Sequence, residues 1–513
     1  MVSYNLGIIS LLIACAMVFS MVWALPCLGG VWEYERRGVL GLGFSILVSG
    51  LLSFFFFSQG KEAKQAPLFR REAYAIVGLG WITAAILASL PYWLSGTCRG
   101  VETPMSVVDA LFESVSGLTT SGATICSELE DPRWMPRCIL FWRSTTHFIG
   151  GLGIIVLLVA LLDTGMSGKS LVQRELTGPR QNLQSYTRTQ MIVRRTVSVY
   201  LLLNVFLTAL LLVAGLSVFD ALCHSFGTIA TGGLGTYNDS LIHFRTAEGV
   251  HFRLVEWGMA TFMFLSGMNL LGLFFVATGN CGWLVRKTEW QVYVLIVAVA
   301  ALLIFQTEFS SFESLEEGLR VSFLQVSSII TTTGYASVDY VYWHPFAQGI
   351  LFLLMFVTAC SGSTSGGPKV VRYVLLFKIL RLEMERAYRP AIVRPLYFNG
   401  ERIVNDALSR SVLLYFAMMF VTLLISWLAI MFCEPNTLWS HFDHPMQCKA
   451  FDLFSAIVSH YSNVGPGFGS VGPMSNFGNL STPSKFILLC DMLIGRLDFF
   501  AILLLFSPAF WKK

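Results

Sequence analysis

Four short segments of the sequence set threonine, serine or asparagine before glycine, between apolar flanks. They read TTSGA, ATGGL, TTTGY and NVGPG, with Gly122, Gly232, Gly334 and Gly465 at the matching positions. Glycine adopts backbone dihedrals that other residues avoid, and hydroxyl or amide side chains can bond the backbone groups left over. A ring of carbonyl oxygens held in this way can replace the water shell of a cation. The segments therefore predict cation coordination by backbone oxygens.

A short helix is predicted before each segment. The acidic residue that starts it lies 13, 12 and 13 residues ahead of the glycine in three copies: Asp109 to Gly122, Asp220 to Gly232 and Asp452 to Gly465. The third copy begins instead with the pair Glu316 and Glu317. An acidic side chain suits the N-terminus of a helix, so the negative C-terminal end faces the glycine turn and favours a cation. The second copy is one residue shorter, which leaves the register of Ala230 and Thr231 open.

Long apolar segments must position these turns. The 513 residues are 55% hydrophobic and 13% charged, whereas soluble domains carry about 25% charged residues. Runs with the roughly 20 apolar residues that span a bilayer begin near residues 7, 39, 73, 138, 196, 254, 289, 347, 410 and 485. We therefore predict an all-α polytopic membrane protein with ten transmembrane helices.

Charge and cysteine content exclude other classes. The net charge is only +4, and no basic run with interleaved aromatic residues indicates nucleic-acid binding. The eleven cysteines include no C-x-x-C pair that would indicate zinc or redox chemistry. No cofactor is expected, and whether Cys433 and Cys448 form a disulfide outside the membrane stays open.

The orientation follows from the basic residues, which favour cytoplasmic loops. Segments 59–72, 163–195, 279–289, 369–410 and the C-terminal tail together hold 23 Lys and Arg, and the alternating segments hold 9. We therefore predict that both termini are cytoplasmic. The nine basic residues of 369–410 are either a docking surface for a partner or a solvated basic loop.

Each glycine segment lies between two apolar spans, so the unit of span, short helix, glycine turn and span occurs four times. Irregular backbone at membrane depth is tolerated where it is buried in protein or lines a wet cavity, and four copies in one chain can close a ring. The predicted divisions are two additional spans in 1–72 and pore repeats in 73–195, 196–288, 289–409 and 410–513.

Two further features interrupt apolar spans. The stretch TACSGSTSGGPKVVR (358–372) has ten residues without a large apolar side chain, so it must unwind or pack closely against neighbours. Arg496 lies within the last span, where a charge costs roughly 2.5–3.5 kcal/mol, which indicates a functional role. The alternative for Arg496 is an ion pair with Asp491 or Asp498. Arg143 and His147 of the fourth span are given no role in transport.

Together these motifs resemble those of the Trk/Ktr/HKT superfamily of potassium transporters, most closely its TrkH-type membrane subunits, over essentially the whole chain. The resemblance implies a potassium-selective filter, because a serine at the first-loop glycine goes with sodium permeation in this family and all four positions here are glycine. The implied filter residues are Thr120, Ser121, Gly122, Ala230, Thr231, Gly232, Thr332, Thr333, Gly334, Asn463, Val464 and Gly465.

The resemblance also implies a gate, partners and a location. The gate is an intramembrane loop at 359–368 with Arg496, and its implied residues are Gly362, Ser363, Thr364, Gly366 and Gly367. The implied assembly is a homodimer in the cytoplasmic (inner) membrane, regulated by a separate cytosolic nucleotide-binding subunit of the TrkA or KtrA type. No nucleotide site is expected in this chain itself, whose longest inside loop has about 40 residues.

Two alternatives are weighed against potassium uptake. A sodium-permeable, or sodium- or proton-coupled, carrier of the same fold would keep every feature except the ion or its coupling. An intramembrane enzyme is not supported, because the chain lacks H-E-x-x-H and G-x-S-x-G.

Overall fold

The computed structural model describes residues 1–60, 70–163, 185–389, 396–398, 401–403, 406–440 and 445–511. Helices dominate this part of the chain. Those of its first half are α1 (Val2–Met21), α2 (Trp32–Gly60), α3 (Arg70–Leu94), α4 (Val107–Leu118), α5 (Arg137–Asp163), α6 (Ser185–Val213), α7 (Val218–Ile229), α8 (His243–Thr246) and α9 (Phe252–Ser266). The helices that follow are α10 (Leu270–Ala277), α11 (Cys281–Val285), α12 (Thr288–Thr307), α13 (Leu315–Ile330), α14 (Pro345–Phe356), α15 (Val370–Tyr388), α16 (Asp406–Cys433), α17 (Pro445–Ser462), α18 (Thr482–Leu503) and α19 (Pro508–Trp511).

Two short hairpins complete the described secondary structure. Strands β1 (Cys98–Gly100) and β2 (Thr103–Pro104) pair antiparallel before α4. Strands β3 (Leu396–Phe398) and β4 (Glu401–Ile403) pair antiparallel in the basic segment after α15. Much of that segment, like most of the predicted loop 163–195, lies outside the described residues.

Six helices of the described residues are long and apolar enough to cross a bilayer: α1, α2, α3, α6, α12 and α16. A seventh candidate span is broken, because α9 and α10 meet at an angle of 106°. α14 has only 12 residues and is followed by irregular backbone. The ten-span count thus remains a prediction, whereas the predominantly helical membrane architecture is confirmed.

The long helices carry apolar side chains outward. Phe54 of α2 is 74% exposed and Val205 of α6 is 64% exposed. Exposed apolar residues of this size, spread over whole helix faces, mark a surface that meets lipid rather than water. The core lies inside this outer layer and contains the short helices.

The short helices α4, α7, α13 and α17 are the predicted pore helices, and each packs between longer ones. α4 contacts α3, α5 and α18, and α17 contacts α16 and α18. In α4 every residue from Phe112 to Leu118 is buried, including two serines and a glutamate. A helix that is enclosed on all sides can carry polar residues only if other groups satisfy them.

Serines, rather than the acidic residues, cap three of these helices, α4, α7 and α13. In α17, which begins at Pro445, Asp452 lies about two turns inside the helix, so the expectation that it starts this helix is wrong. The hydroxyl oxygens of Ser106, Ser217 and Ser314 accept the backbone N–H of the residue three positions later, at 3.1, 3.1 and 3.2 Å. The acidic residue is that third position in each helix. In α4 Asp109 accepts the N–H of Ser106 in return, at 3.1 Å, which completes a capping box. The cap fixes where each helix starts and therefore how deep its C-terminal end lies.

Cys433 and Cys448 are free thiols in the structure, as are Cys98 and Cys126. The disulfide left open by the sequence is therefore not formed between them.

Candidate functional site

The four short helices end in the same unusual way. One or two residues past the end of each helix the backbone is left-handed, with φ of 54° at Thr120, 56° at Thr231, 60° at Thr332 and 58° at Asn463. Glycine normally takes this position, and a β-branched residue there is a genuine outlier. Such strain persists only where the surroundings enforce it, and it concentrates at functional sites.

One hydrogen bond closes each of these turns. The N–H of the following residue donates to the carbonyl five residues earlier: Ser121 to Ser116 at 2.9 Å, Gly232 to Gly227 at 2.7 Å, Thr333 to Ser328 at 2.8 Å and Val464 to Ser459 at 2.8 Å. This is the Schellman pattern, which reverses the chain at a helix C-terminus. The repeated bond fixes which residues of the four loops are equivalent.

The equivalence corrects the register of the second loop by one residue. The second residue after each left-handed position also has positive φ, and it is Gly122 (78°), Gly233 (78°), Gly334 (84°) and Gly465 (102°). Ala230 is instead the C-cap of α7, with φ −73° and ψ −8°, and matches Thr119 and Thr331. The sequence carried the signal, because the spacing from Asp220 to Gly233 is 13 residues, as in the first and fourth copies.

The four loops form a closed ring in chain order. A Cβ on Gly122 would strike the carbonyl oxygen of Gly232, and one on Gly233 would strike that of Thr333. In the same way Gly334 faces the carbonyl of Val464, and Gly465 faces that of Ser121. Each loop thus presses a glycine against a carbonyl of the next, and the fourth returns to the first. Only glycine lets the backbones approach so closely.

Hydroxyl groups hold the segments that follow the glycines in three loops. Ser116 donates to the carbonyl of Ala123 at 2.6 Å, and Ser328 donates to that of Tyr335 at 2.6 Å. The second loop has Gly227 at the serine position. There the hydroxyl of Tyr335 donates to the carbonyl of Leu234 at 3.1 Å. A side chain on Gly227 would strike that hydroxyl, so the two loops are fitted to each other.

His147 of α5 supports the ring, although the sequence gave it no role. Its Nε2 accepts the N–H of Leu234 at 3.2 Å, and its Nδ1 lies 2.8 Å from the carbonyl of Gly117. An Nε2 that accepts must lack a proton, so Nδ1 carries it and the ring is neutral. The imidazole therefore bridges the first pore helix and the second loop.

Arg143, one turn before His147, is also fixed to both loops. It pairs with buried Glu113 of α4 and donates to the carbonyl of Gly235 at 2.8 Å. Glu113 also accepts from Thr124 and from the N–H of Ile125, at 3.1 and 3.2 Å. Sequence reasoning missed these contacts because their partners lie on other elements. The available signal was two polar residues one turn apart within an apolar span.

A cavity of about 120 Å³ opens on one side of the ring. Gly122, Gly233, Gly334 and Pro466 line it, together with 472–477. The Phe477 N–H donates to the carbonyl of Thr124 at 2.8 Å, which ties this segment to the first loop. The cavity leaves the glycines of the first three loops accessible from this side.

The loop predicted as a gate lies directly against the other side of the ring. The hydroxyl of Thr364 donates to the carbonyl of Ile229 at 2.9 Å, and the N–H of Gly366 donates to the hydroxyl of Thr332 at 3.0 Å. A side chain on Gly366 would strike Asn463. The loop is therefore in contact with the second, third and fourth loops.

Arg496 fastens this loop to the first repeat. Its guanidinium donates to the carbonyl of Thr364 at 2.8 Å and to that of Gly150 at 3.3 Å. No described carboxylate pairs with it, and Asp491 accepts from Ser426 instead, at 2.8 Å. The side chain of Asp498 is not part of the described structure. The observed partners are thus gate-loop and helix carbonyls.

The start of the loop is bound to other helices. Glu289 of α12 accepts the N–H of Ser361 at 2.6 Å and its hydroxyl at 2.8 Å. At the break between α9 and α10, Asn269 donates to the Ser361 carbonyl at 2.9 Å. Gly362 and Gly367 have φ of 73° and 66° and flank the segment that touches the ring. These anchors were not evident from the sequence, since they lie some 70 to 90 residues away.

Apolar helices around a ring of backbone carbonyls, with a loop and a guanidinium beneath it, define an integral membrane protein built to pass a cation. The family model TrkH, described as a cation transport protein, matches residues 43–513. The chain therefore belongs to the TrkH family.

Individual relatives agree along nearly the full length. The Trk system potassium uptake protein TrkH of Halomonas elongata is 30% identical over 521 residues, which cover 99% of this chain and 98% of that protein. TrkH of Escherichia coli K12 is 32% identical over 459 residues, 88% of each chain. The crystal structure of the potassium transporter TrkH from Vibrio parahaemolyticus matches with a TM-score of 0.82 at 27% identity, covering 99% of both chains. These relatives are transport proteins and not enzymes.

Proposed function

We propose that the chain takes up potassium across the cytoplasmic membrane through the four-loop ring. The observation that carries the proposal is the closed circuit of glycine-to-carbonyl contacts between successive loops. Such a ring offers several oxygens at once to an ion that has shed its water. The names of the relatives, which are potassium uptake proteins, support potassium as the ion.

The proposed filter follows the corrected register. Its residues are Thr120, Ser121, Gly122, Thr231, Gly232, Gly233, Thr332, Thr333, Gly334, Asn463, Val464 and Gly465. Two features support this assignment: the left-handed turn in each loop, and the buried short helices that end at these turns and so bring their negative C-terminal ends close to the loops. The membrane potential adds about 2.3 kcal/mol per charge per 100 mV in favour of inward flow.

The proposed gate is the segment between Gly362 and Gly367 together with Arg496. In the observed arrangement the segment lies against the ring and Arg496 places a positive charge beside it. We take this to be a closed state. Opening would swing Ser363 to Gly366 away about the two flanking glycines, because glycine can adopt backbone conformations that other residues avoid.

The proposed setting is the inner membrane, with ten spans, both termini cytoplasmic and two copies per assembly. The pore repeats would occupy 73–195, 196–288, 289–409 and 410–513. A cytosolic nucleotide-binding subunit of the TrkA or KtrA type would regulate the gate, because this chain offers only short inside loops. The basic helix α15 and the β3–β4 hairpin directly follow the gate loop and are the proposed docking surface.

Flux into proteoliposomes tests the proposal. Purified protein should carry rubidium or potassium inward under an imposed potential, and excess sodium should compete poorly. Sodium flux above potassium flux would favour the sodium carrier and contradict the proposal. Dependence on an imposed proton gradient would separate a coupled carrier from passive conduction.

A shortened gate loop provides the second test. Deleting part of 361–367 should raise flux in the absence of any partner subunit, since it removes the segment beneath the ring. Unchanged flux in a folded variant would show that the loop is a packing site.

A further inference from the structure

A cavity of about 280 Å³ lies between α16 and α18, away from the ring. Its rim includes Ile425, which is 63% exposed, and Phe486, which is 55% exposed. Apolar side chains this exposed on membrane helices face lipid. The cavity therefore opens toward the bilayer rather than toward the ion path.

Asp491 lines this cavity. Its side chain is 2% exposed, and one carboxyl oxygen accepts the hydroxyl of Ser426 at 2.8 Å. The other oxygen, Oδ2, has no hydrogen-bond partner. Asp491 is nine residues into α18, which puts it about 13 Å along the helix from Thr482. An incompletely satisfied acid thus lies deep in an apolar wall.

No cation among the described side chains neutralises Asp491. The nearest arginine in sequence, Arg496, lies on a different face of α18 and binds the carbonyls of Thr364 and Gly150. Other buried acids differ, because Glu113 pairs with Arg143 and Asp109 pairs with Lys485 at 2.7 Å. An isolated ionised carboxylate in an apolar environment is so costly that the group takes up a proton instead.

We propose that Asp491 and Ser426 form a protonated carboxyl site, open to the lipid phase, that reacts with apolar carbodiimides. The acid proton moves to one carbodiimide nitrogen while a carboxyl oxygen of Asp491 bonds to the central carbon, giving an O-acylisourea. The acyl group then migrates from oxygen to nitrogen and leaves a stable N-acylurea. The whole reagent is retained, nothing is released, and no oxidant or reductant takes part.

The test uses the full chain in lipid vesicles with dicyclohexylcarbodiimide, followed by intact mass measurement and peptide mapping. We expect a mass gain of one reagent molecule on Asp491. A charged, water-soluble carbodiimide should label it about a hundredfold more slowly, because a charge is penalised within the bilayer. Glu113 and Asp109 serve as internal controls and should stay unlabelled.

Variants separate the site from its surroundings. Asp491→Asn keeps the shape of the side chain and should abolish the adduct, while Cys490→Ser should retain it, since the neighbouring thiol is not the target. Ser426→Ala should label at least as fast as the parent protein. Absence of label on Asp491 in folded protein, equal label on Glu113, or equally fast labelling by the charged reagent would each overturn the proposal. Burial of this face by a second copy would give the first of these results.

Discussion

Replacing Gly122 by serine tests the ring most directly. Gly122 has φ of 78°, and a Cβ there would strike the carbonyl oxygen of Gly232 in the next loop. The substitution therefore has two unfavourable effects on the ring. One is the left-handed backbone, about 1–2 kcal/mol for a residue with a side chain. The other is displacement of a carbonyl that we propose as an ion ligand.

Gly249 offers a matched control for the first effect. Its φ is 76°, but a Cβ there would meet no atom within 4 Å. Gly249→Ser thus has the same backbone strain without any displaced carbonyl. The difference between the two variants isolates the contact inside the ring.

The assay is the ratio of potassium to sodium flux in proteoliposomes. A ligand displacement that shifts relative ion binding by about 1.4 kcal/mol changes the ratio about tenfold. We expect that loss of selectivity in Gly122→Ser and an unchanged ratio in Gly249→Ser. An unchanged ratio in both variants, or an equal loss in both, would refute the assignment of Gly122 to a selective ring.

The remaining predictions concern the gate and are measured as basal rubidium flux without a partner subunit. Thr332→Val removes the hydroxyl that accepts the N–H of Gly366. It should raise flux by about two- to tenfold, because that factor corresponds to the loss of one hydrogen bond. The control is Thr120→Val, which should leave gating unchanged because the Thr120 hydroxyl has no hydrogen-bond partner in the described structure. Arg496→Gln should raise flux by about tenfold or more, because hydrogen bonds from charged groups are each worth about 1.5–3 kcal/mol; flux at the parental level would contradict its role as a fastener. Glu289→Gln removes one of the two carboxylate oxygens that accept from Ser361 and should raise flux about two- to tenfold. The control variant Glu383→Gln changes an exposed glutamate and should leave flux unchanged. Equal flux in the two variants would argue against Glu289 as an anchor.

The sequence predicts the fold class and the existence of the four turns, because both depend on local signals. Span-length apolar runs indicate membrane helices. The glycine segments indicate one unit used four times, and three of the copies share the spacing from an acidic residue to glycine. The register failed only where two glycines are adjacent. Gly232 and Gly233 are the same residue type, so the sequence does not show which of them matches Gly122. Only the backbone dihedral φ, which is positive at Gly233 and not at Gly232, distinguishes them.

The supports of the ring could not be predicted, because their partners are backbone atoms far away in the chain. His147 bonds to the backbone carbonyl of Gly117 and to the backbone N–H of Leu234, so the side chains of these two residues give no sign of the contact. Glu289 was hidden for the same reason, since it accepts from the backbone of Ser361. Long-range contacts to main-chain groups leave no pattern in composition or spacing.

At two of the four strained turns, the contacts of the side chain explain why glycine is not used. Replacing Thr332 or Asn463 by glycine would remove the strain of the left-handed backbone, which is about 1–2 kcal/mol for a residue with a side chain. It would also remove the hydroxyl that binds Gly366 of the gate loop and the amide that donates to the carbonyl of Met492 at 3.0 Å. Met492 lies on the helix that carries Arg496, so these two side chains connect the ring to both parts of the gate. On the proposed function, these two strained positions are therefore where we expect a side chain to couple the ring to the gate.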